Sequence, residues 1–281
     1  MGRIATIGFF DGVHKGHRFL FDQLVRIGAS RDLRPLIVTF ENHPRSVLQR
    51  AAMPHLLTST AERRELLSAY GEVLMLPFEQ IQPLTAEQFM EYLHREQDVQ
   101  VLLMGYDHRF GSDRLTDPED YRRLGAIHGI EVLTMQQYTD GASHISSTEI
   151  RRALERGEIA AANDRLGRLY SLHGEVVHGK GLGRQLGFPT ANIHAEPCKL
   201  LPKAGVYEVK VRGERLEANG ICNIDSNGLI ETHIPDYSGD LYGRPIEVQF
   251  IRFIRDEQHF ASLDALKNQI KADIDSIRHP V

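Results

Sequence analysis

The chain has no tryptophan and only two cysteines, Cys198 and Cys222. They form no CxxC spacing and are too few for a disulfide framework, which points to a reducing compartment. No apolar run approaches the roughly 18 residues of a membrane span, and Met1-Gly2-Arg3 leads straight into a strand-like run rather than a secretory leader. The expectation is a cytoplasmic protein with no membrane partner. Basic charge is scarce as well: 33 Lys and Arg stand against 38 Asp and Glu, a formal net charge of −5. Without a basic footprint, nucleic acid is not an expected partner. Internal repeats and low-complexity stretches are missing too. What is there is 281 residues, 41% of them hydrophobic, room for roughly two domains at about 150 residues each.

The pattern changes near residue 168. Before it, apolar runs at Ile4–Phe9, Leu36–Phe40, Val73–Leu76, Val101–Met104 and Glu131–Met135 alternate with helical segments, the βαβ rhythm of a parallel sheet. Ser59 with Glu62 and Thr85 with Gln88 read as capping boxes, and Asp117-Pro118 as an N-cap followed by proline at the first helical position. Leu20, Leu24 and Ile27 predict the buried face of the helix after His17. Beyond residue 168 the period becomes two, as in Tyr207-Glu208-Val209-Lys210-Val211-Arg212 and at Ile246, Val248 and Phe250, which predicts a small antiparallel barrel or sandwich. A final amphipathic helix with Leu263, Leu266, Ile270, Ile274 and Ile277 on one stripe is expected to seal it. The fold class is therefore α/β, a Rossmann-like parallel-sheet domain at 1–167 followed by a small antiparallel β-barrel domain with a C-terminal helix at 168–281.

Three stretches carry chemistry. His14-Lys15-Gly16-His17 follows the first strand and a tight Phe9-Phe10-Asp11-Gly12 turn, so imidazoles and helix N-terminal amides are expected to converge on one anion. Ile145-Ser146-Ser147-Thr148-Glu149-Ile150-Arg151 opens a later helix and adds hydroxyls and a guanidinium. Together they suit a triphosphate attacked at its α-phosphorus, where charge builds on departing pyrophosphate. Each has a plainer reading: two surface histidines or half a metal site, and an ordinary helix cap. The third stretch runs from Gly179 to Asn192. Its glycines, among them Gly181 and Gly183, permit close approach to phosphates, while Thr190 and Asn192 offer hard oxygen donors of the kind Mg²⁺ accepts; a flexible hairpin ending in a turn is the alternative. Glu231, among apolar residues in Ile230-Glu231-Thr232-His233-Ile234, is either a solvated strand carboxylate or a general base on a hydroxyl.

The ordered set resembles the bifunctional prokaryotic riboflavin kinase/FAD synthetases over essentially the whole chain. The stretches Ile7–His17, Thr39–Arg45, Gly105–Gly111 and Ile145–Arg151 are similar to that family's adenylyltransferase module. Gly183–Asn192, Pro202–Tyr207, Glu231-Thr232-His233 and Asp240–Gly243 are similar to its kinase module. The resemblance implies an enzyme in which the barrel phosphorylates riboflavin with ATP to give FMN, and the α/β domain adenylylates FMN with ATP to give FAD and pyrophosphate. It implies His14, His17 and Arg151 as catalytic groups, with Gly8, Phe9, Asp11, Gly12, Gly16, Ser147 and Thr148 around the nucleotide and Asp107 and Phe110 in the flavin region. In the barrel it implies Gly181 and Gly183 over the phosphates, Thr190 and Asn192 on Mg²⁺ and ATP, and Glu231 as base. The expected partners are small-molecule substrates, with the chain a monomer or weak homo-oligomer.

Three departures from the family pattern stand out: Asn223–Gly228 is short where relatives carry a longer loop before the glutamate strand, Met1 sits immediately before the first strand, and position 108 is His where Phe is common. The short loop leaves a non-catalytic flavin-binding protein as one alternative; a nucleotidyltransferase with another acceptor, such as a cytidylyltransferase, is the other.

Overall fold

The computed structural model describes residues 1–43, 55–106, 108–136, 138, 145–179 and 181–278. The chain divides into two compact units, Met1–Ser147 and Thr148–Val281.

In the first unit, β1 (Arg3–Ile7), β2 (Arg34–Phe40), β3 (Glu72–Leu76), β4 (Val99–Met104) and β5 (Glu131–Thr134) form a sheet in the order β3-β2-β1-β4-β5. Every pairing is parallel. The central strands read as continuous apolar runs because both faces are covered. On one face Ile4, Ile37, Val101 and Leu103 meet α1 (Lys15–Arg31) through Leu20, Phe21 and Leu24, and α2 (Thr60–Ser68) through Leu67. On the other, Ile7, Val38, Leu102 and Met104 meet α4 (Ala86–Gln97) and α5 (Pro118–Ile127), which follow the single turn α3 (Phe78–Ile81). Both capping boxes form, and Asp117 caps α5 with Pro118 at its first turn. Ile27, expected in the buried stripe of α1, is only partly buried.

The strand order reverses between β1 and β4. The chain leaves β1 toward β2 on one side and enters β4 on the other, so the loops after these two strands flank a crevice at the sheet's carboxyl edge, the usual ligand position in such sheets.

The second unit holds α6 (Ser147–Glu155, its first residue belonging to the first unit), α7 (Ile159–Leu166) and a barrel. The strands are β6 (Tyr170–Val177), β7 (Thr190–Ala195), β8 (Gly205–Gly213), β9 (Leu216–Ile224), β10 (Ile230–His233) and β11 (Pro245–Arg255). They close in the order β10-β7-β6-β11-β8-β9, so the two-residue period belongs to a barrel and not to a sandwich. Helix α7 is tied to the barrel: Asn163 donates to the Phe250 carbonyl at 2.9 Å and accepts from the Tyr170 amide at 2.7 Å. The compact division therefore falls before the strand pattern begins. The final helix α9 (Leu263–Arg278) packs Ile274 and Ile277 on Val206 and Ile221. Leu263, expected on that stripe, is 60% exposed.

The short Asn223–Gly228 stretch closes β9 onto β10 without a long loop. The Asp225 carboxylate accepts from the Asn227 and Leu229 amides at 2.9 and 2.7 Å, and the Asp225 amide donates to the Leu229 carbonyl at 3.0 Å. Burial pushes the Asp225 pKa upward, but these hydrogen bonds outweigh it and the net shift is below the ordinary carboxylate value. A depressed folded-state pKa contributes stability that is present above the unfolded pKa and lost as pH falls through the folded one. Asp225→Ala is thus expected to lower the second unit's unfolding free energy by about 1–2 kcal/mol at neutral pH. In urea titrations the difference from wild type should vanish once the pH falls below the native Asp225 pKa.

Candidate functional site

The loop between β1 and α1 is strained and buried. Phe10 and Val13 have φ of 56° and 42° and are 6% and 1% exposed. Such conformations cost roughly 1–3 kcal/mol each and persist only where the surroundings enforce them. Asp11 supplies much of that enforcement. Its buried carboxylate accepts from the Leu57 amide at 3.0 and 3.1 Å, the Thr58 amide at 3.1 Å and the Thr58 hydroxyl at 3.2 Å. The Gly12 amide donates to Thr58 Oγ1 at 3.0 Å, and the Gly8 amide to the Val38 carbonyl at 3.0 Å. Asp11 therefore shapes the loop with its carboxylate instead of presenting it to an anion. Phe9, half-buried, lies 4.1 Å beneath the buried Arg63 guanidinium.

His14 is the N-cap of α1, its Nδ1 accepting from the His17 amide at 3.3 Å. An accepting Nδ1 places the neutral ring's proton on Nε2. The His14 and His17 rings stack with centroids 3.6 Å apart. Gly16 leaves room beside the stack: a Cβ there would lie 3.3 Å from the His14 ring, which would have to give by a few tenths of an ångström. The expected convergence of imidazoles and helix amides is thus modified, because one helix amide is already satisfied by His14. Ser147 joins the same loop, its hydroxyl donating to the Asp11 carbonyl at 2.9 Å. Thr148 and Arg151 follow on α6, in the second unit.

At the crevice's other side, Phe110 packs against Phe89 and Tyr121, and the Tyr121 hydroxyl donates to the Phe110 carbonyl at 2.9 Å. Burial raises the Tyr121 pKa. Asp107 lies outside the described residues, as do Pro44, Arg45 and Lys180.

In the barrel, strand register assembles the second set. Glu231 stands directly opposite Asn192 on β7 and Asn223 on β9, and His233 opposite Thr190. Facing residues of an antiparallel pair have Cβ atoms about 4.5–5.5 Å apart, so Thr190, Asn192, Glu231 and His233 form one patch. His233 Nδ1 lies 2.8 Å from the Pro189 carbonyl. Two cavities meet at this patch. One, of about 280 Å³, is largely apolar, lined by Leu186, Phe188, Val206, Ile221, Leu266 and Ile270 together with Thr190 and Glu231. The other, of about 370 Å³, is more polar and is bounded by Arg184, Thr190, Ala191, Thr232, Asp240 and Tyr242. Thr190 lines both.

A Cβ on Gly183 would stand 2.4 Å from the Phe188 carbonyl and 3.0 Å from Thr190 Oγ1. This glycine is required by the chain's own packing on Thr190. Gly181 precedes α8 (Leu182–Leu186) and has open space beside it. Asn192 Oδ1 is buried and finds no hydrogen-bond partner among the described residues. An orphaned amide oxygen is costly to bury and fits a hard cation beside Thr190 Oγ1.

Sequence reasoning missed the aromatic stack of His178 on Tyr242, centroids 3.9 Å apart, and the pair of Arg255 with Asp273, both lining the apolar cavity. Asp273 did carry a signal: in the series Leu266, Ile270, Asp273, Ile277 it is the one charge at apolar-stripe spacing.

A family profile described as FAD synthetase matches residues 1–149, and one described as riboflavin kinase matches residues 166–281. The bifunctional riboflavin kinase/FMN adenylyltransferase of Escherichia coli (strain K12) is 37% identical over 284 residues, spanning 97% of this chain and 90% of that protein. Its counterpart in Pseudomonas fluorescens is 36% identical over 291 residues, spanning 99% and 92%. A crystal structure described as a macrolide-efflux protein from Streptococcus pneumoniae superposes with a TM-score of 0.89 at 31% identity, covering 100% of this chain and 95% of that one. Among the described residues of this chain, no helix is long and apolar enough to cross a membrane.

On the barrel's inner side Cys222 faces Thr232 and is buried, and burial together with the Glu231 charge pushes its thiol up to about 12. Burial and Glu196 also raise the partly exposed Cys198. A thiol reagent at about pH 8 should therefore modify Cys198 slowly in the native protein and Cys222 only after unfolding, which peptide mapping of the labelled chain will read.

Proposed function

The chain belongs to the family of bifunctional riboflavin kinases/FMN adenylyltransferases, and we propose how its residues divide the two reactions. Its C-terminal domain phosphorylates riboflavin with ATP to FMN and ADP, and its N-terminal domain converts FMN and ATP to FAD and pyrophosphate. We assign the two catalytic modules to residues 1–167 and 168–281.

In the N-terminal module an FMN phosphate oxygen attacks the α-phosphorus of ATP, the new P–O bond forms, and pyrophosphate leaves with the electrons of the broken one. The nucleophile is already anionic, so no protein base is needed. His14 and His17 stabilise charge on the departing phosphates, His14 by donation from Nε2; the capping of α1 by His14 and the ring stack support these roles. Ser147, Thr148 and Arg151 hold the phosphates. Gly8, Phe9, Gly12 and Gly16 form the cradle that Asp11 holds in shape, and Asp107 and Phe110 face the flavin.

In the barrel, riboflavin occupies the apolar cavity and ATP the polar one, with Gly181 and Gly183 in the loop over the phosphates. The observation that carries this reading is that Thr190 lines both cavities while Glu231 lines the apolar one. Glu231 takes the proton of the ribityl hydroxyl as its oxygen bonds to the γ-phosphorus and ADP leaves. Thr190 and Asn192 would hold Mg²⁺, which would neutralise phosphate charge. The enzyme works on small molecules in the cytoplasm as a monomer or weak homo-oligomer.

Two incubations with Mg²⁺ and ATP test the assignment, one given riboflavin and the other FMN, with flavins separated chromatographically. Glu231→Gln should cut riboflavin phosphorylation by roughly 10²–10⁴-fold and leave FAD formation from FMN intact. His14→Ala and His17→Ala should each do the reverse, with losses of about 10²–10³-fold in adenylylation. Full kinase rate in the glutamine variant would remove the base, and no product from either wild-type tube would favour a binding-only protein. Asn192→Ala is expected to raise the Mg²⁺ concentration needed for half-maximal riboflavin phosphorylation, measured by metal titration at fixed ATP.

A further inference from the structure

Two walls of the apolar cavity are not part of the barrel patch. One is α9, contributing Leu266, Ile270 and Asp273; the other is the segment after β11, contributing Glu257, Gln258 and Phe260. Arg255 connects them. Its Nε lies 3.1 Å from both Asp273 carboxylate oxygens and Nη2 donates to Oδ2 at 2.8 Å, while Nη1 donates to the Asp256 carbonyl at 3.1 Å. Gln269 completes the carboxylate with a 2.9 Å bond to Oδ1. The side chains of Arg255 and Asp273 are 16% and 5% exposed.

A fork-to-carboxylate pair of this kind fixes distance and angle together. Breaking a buried pair from one side leaves an uncompensated charge, so the arrangement holds one geometry. Elsewhere the helix is held by apolar packing of Ile274 and Ile277, by Arg252, whose Nη2 donates to the Ser276 carbonyl at 3.0 Å, and by Arg278, which pairs with Asp236 at 2.6 Å. Arg255–Asp273 differs from these ties in that both of its partners line the apolar cavity. None of the residues bounding the polar cavity lies on α9 or in the 255–260 segment. The pair therefore borders one cavity only.

We propose that Arg255 and Asp273 form a positioning pair that sets the width of the flavin cavity, acting on riboflavin affinity and not on ATP binding or phosphoryl transfer. The proposal rests on the reading of the apolar cavity as the riboflavin site. Neither residue exchanges protons with substrate; each acts through the walls it holds.

The test measures riboflavin affinity by flavin fluorescence without ATP, with KM for both substrates and kcat from steady-state phosphorylation by the full chain. Asp273→Asn should weaken riboflavin binding by roughly tenfold or more, with KM for ATP and kcat changed less than about threefold. FAD formation from FMN reports the other domain and should be unchanged. Arg255→Lys, which keeps the charge and loses the fork, should fall between wild type and Asp273→Asn. Equal rises in both KM values would mean general loosening of the barrel and overturn the proposal, as would unchanged affinity. If Asp273→Asn does not fold, Gln269→Leu removes one donor to the same carboxylate and should shift riboflavin affinity alone in the same direction; no such shift overturns the proposal. Leu266→Glu, which places charge in the cavity wall, separates the two failures. Undiminished riboflavin binding in that variant sinks the cavity assignment itself, whereas weakened binding there with none lost in Asp273→Asn sinks only the pair.

Discussion

Strand β10 has four residues, yet its hydrogen bonds on both edges close the barrel. Because side chains alternate at every residue, pairing β10 with β7 and β9 in one register puts Glu231 and His233 on the face shared with Asn192 and Thr190. A slip by one residue would send the carboxylate to the inner side, where Cys222 now faces Thr232. The Asp225 turn fixes that register from one end. The turn's own hydrogen bonds suffice to close β9 onto β10 without a longer loop.

The α/β unit solves a comparable problem differently. Its β1–α1 loop departs from β1 through two non-glycine residues at positive φ, a conformation the local sequence does not favour. Long-range contacts hold it: the Asp11 carboxylate on the backbone around Thr58, and Phe10 edge-on to Phe21 at 4.9 Å within the core. Burying an aromatic ring such as Phe21 contributes roughly 1.5–3 kcal/mol, the same order as the strain at one of these residues. The stacked histidines thus rest on a loop whose shape depends on contacts from Leu57, Thr58 and α1.

Much of this was legible before the structure. The change of period near residue 168, both capping boxes and the apolar runs of the parallel sheet are local signals, and local signals survive into the fold. The short motifs also marked Thr190, Asn192 and Glu231, which strand register brings together. Other features were hidden because they depend on partners far away in sequence. Asp11 resembles a ligand by its place in the motif, and only the approach of Leu57 and Thr58, 46 and 47 residues on, shows where its carboxylate goes. Gly183 reads as phosphate-binding from composition, and the fold adds a second reason for a glycine there, its close packing on Phe188 and Thr190. Arg255 looks like one more charged residue on an exposed strand end until Asp273 arrives from the final helix.

The two halves differ in the groups they carry because their nucleophiles differ. A ribityl hydroxyl is protonated at neutral pH and must lose its proton as the new bond forms, so a carboxylate near the γ-phosphoryl position has work to do. The phosphate of FMN is an anion before the reaction starts. A carboxylate beside it would repel both it and the triphosphate, and a general base would have no proton to take. What that step needs is donation toward developing charge, which imidazoles and hydroxyls provide. The disposition of acids follows: in the barrel Glu231 borders the cavity, whereas in the α/β unit the acid of the signature loop, Asp11, is turned onto the backbone of Leu57 and Thr58. On the proposed assignment, replacing Glu231 would remove a proton acceptor, whereas replacing Asp11 would release a strained loop.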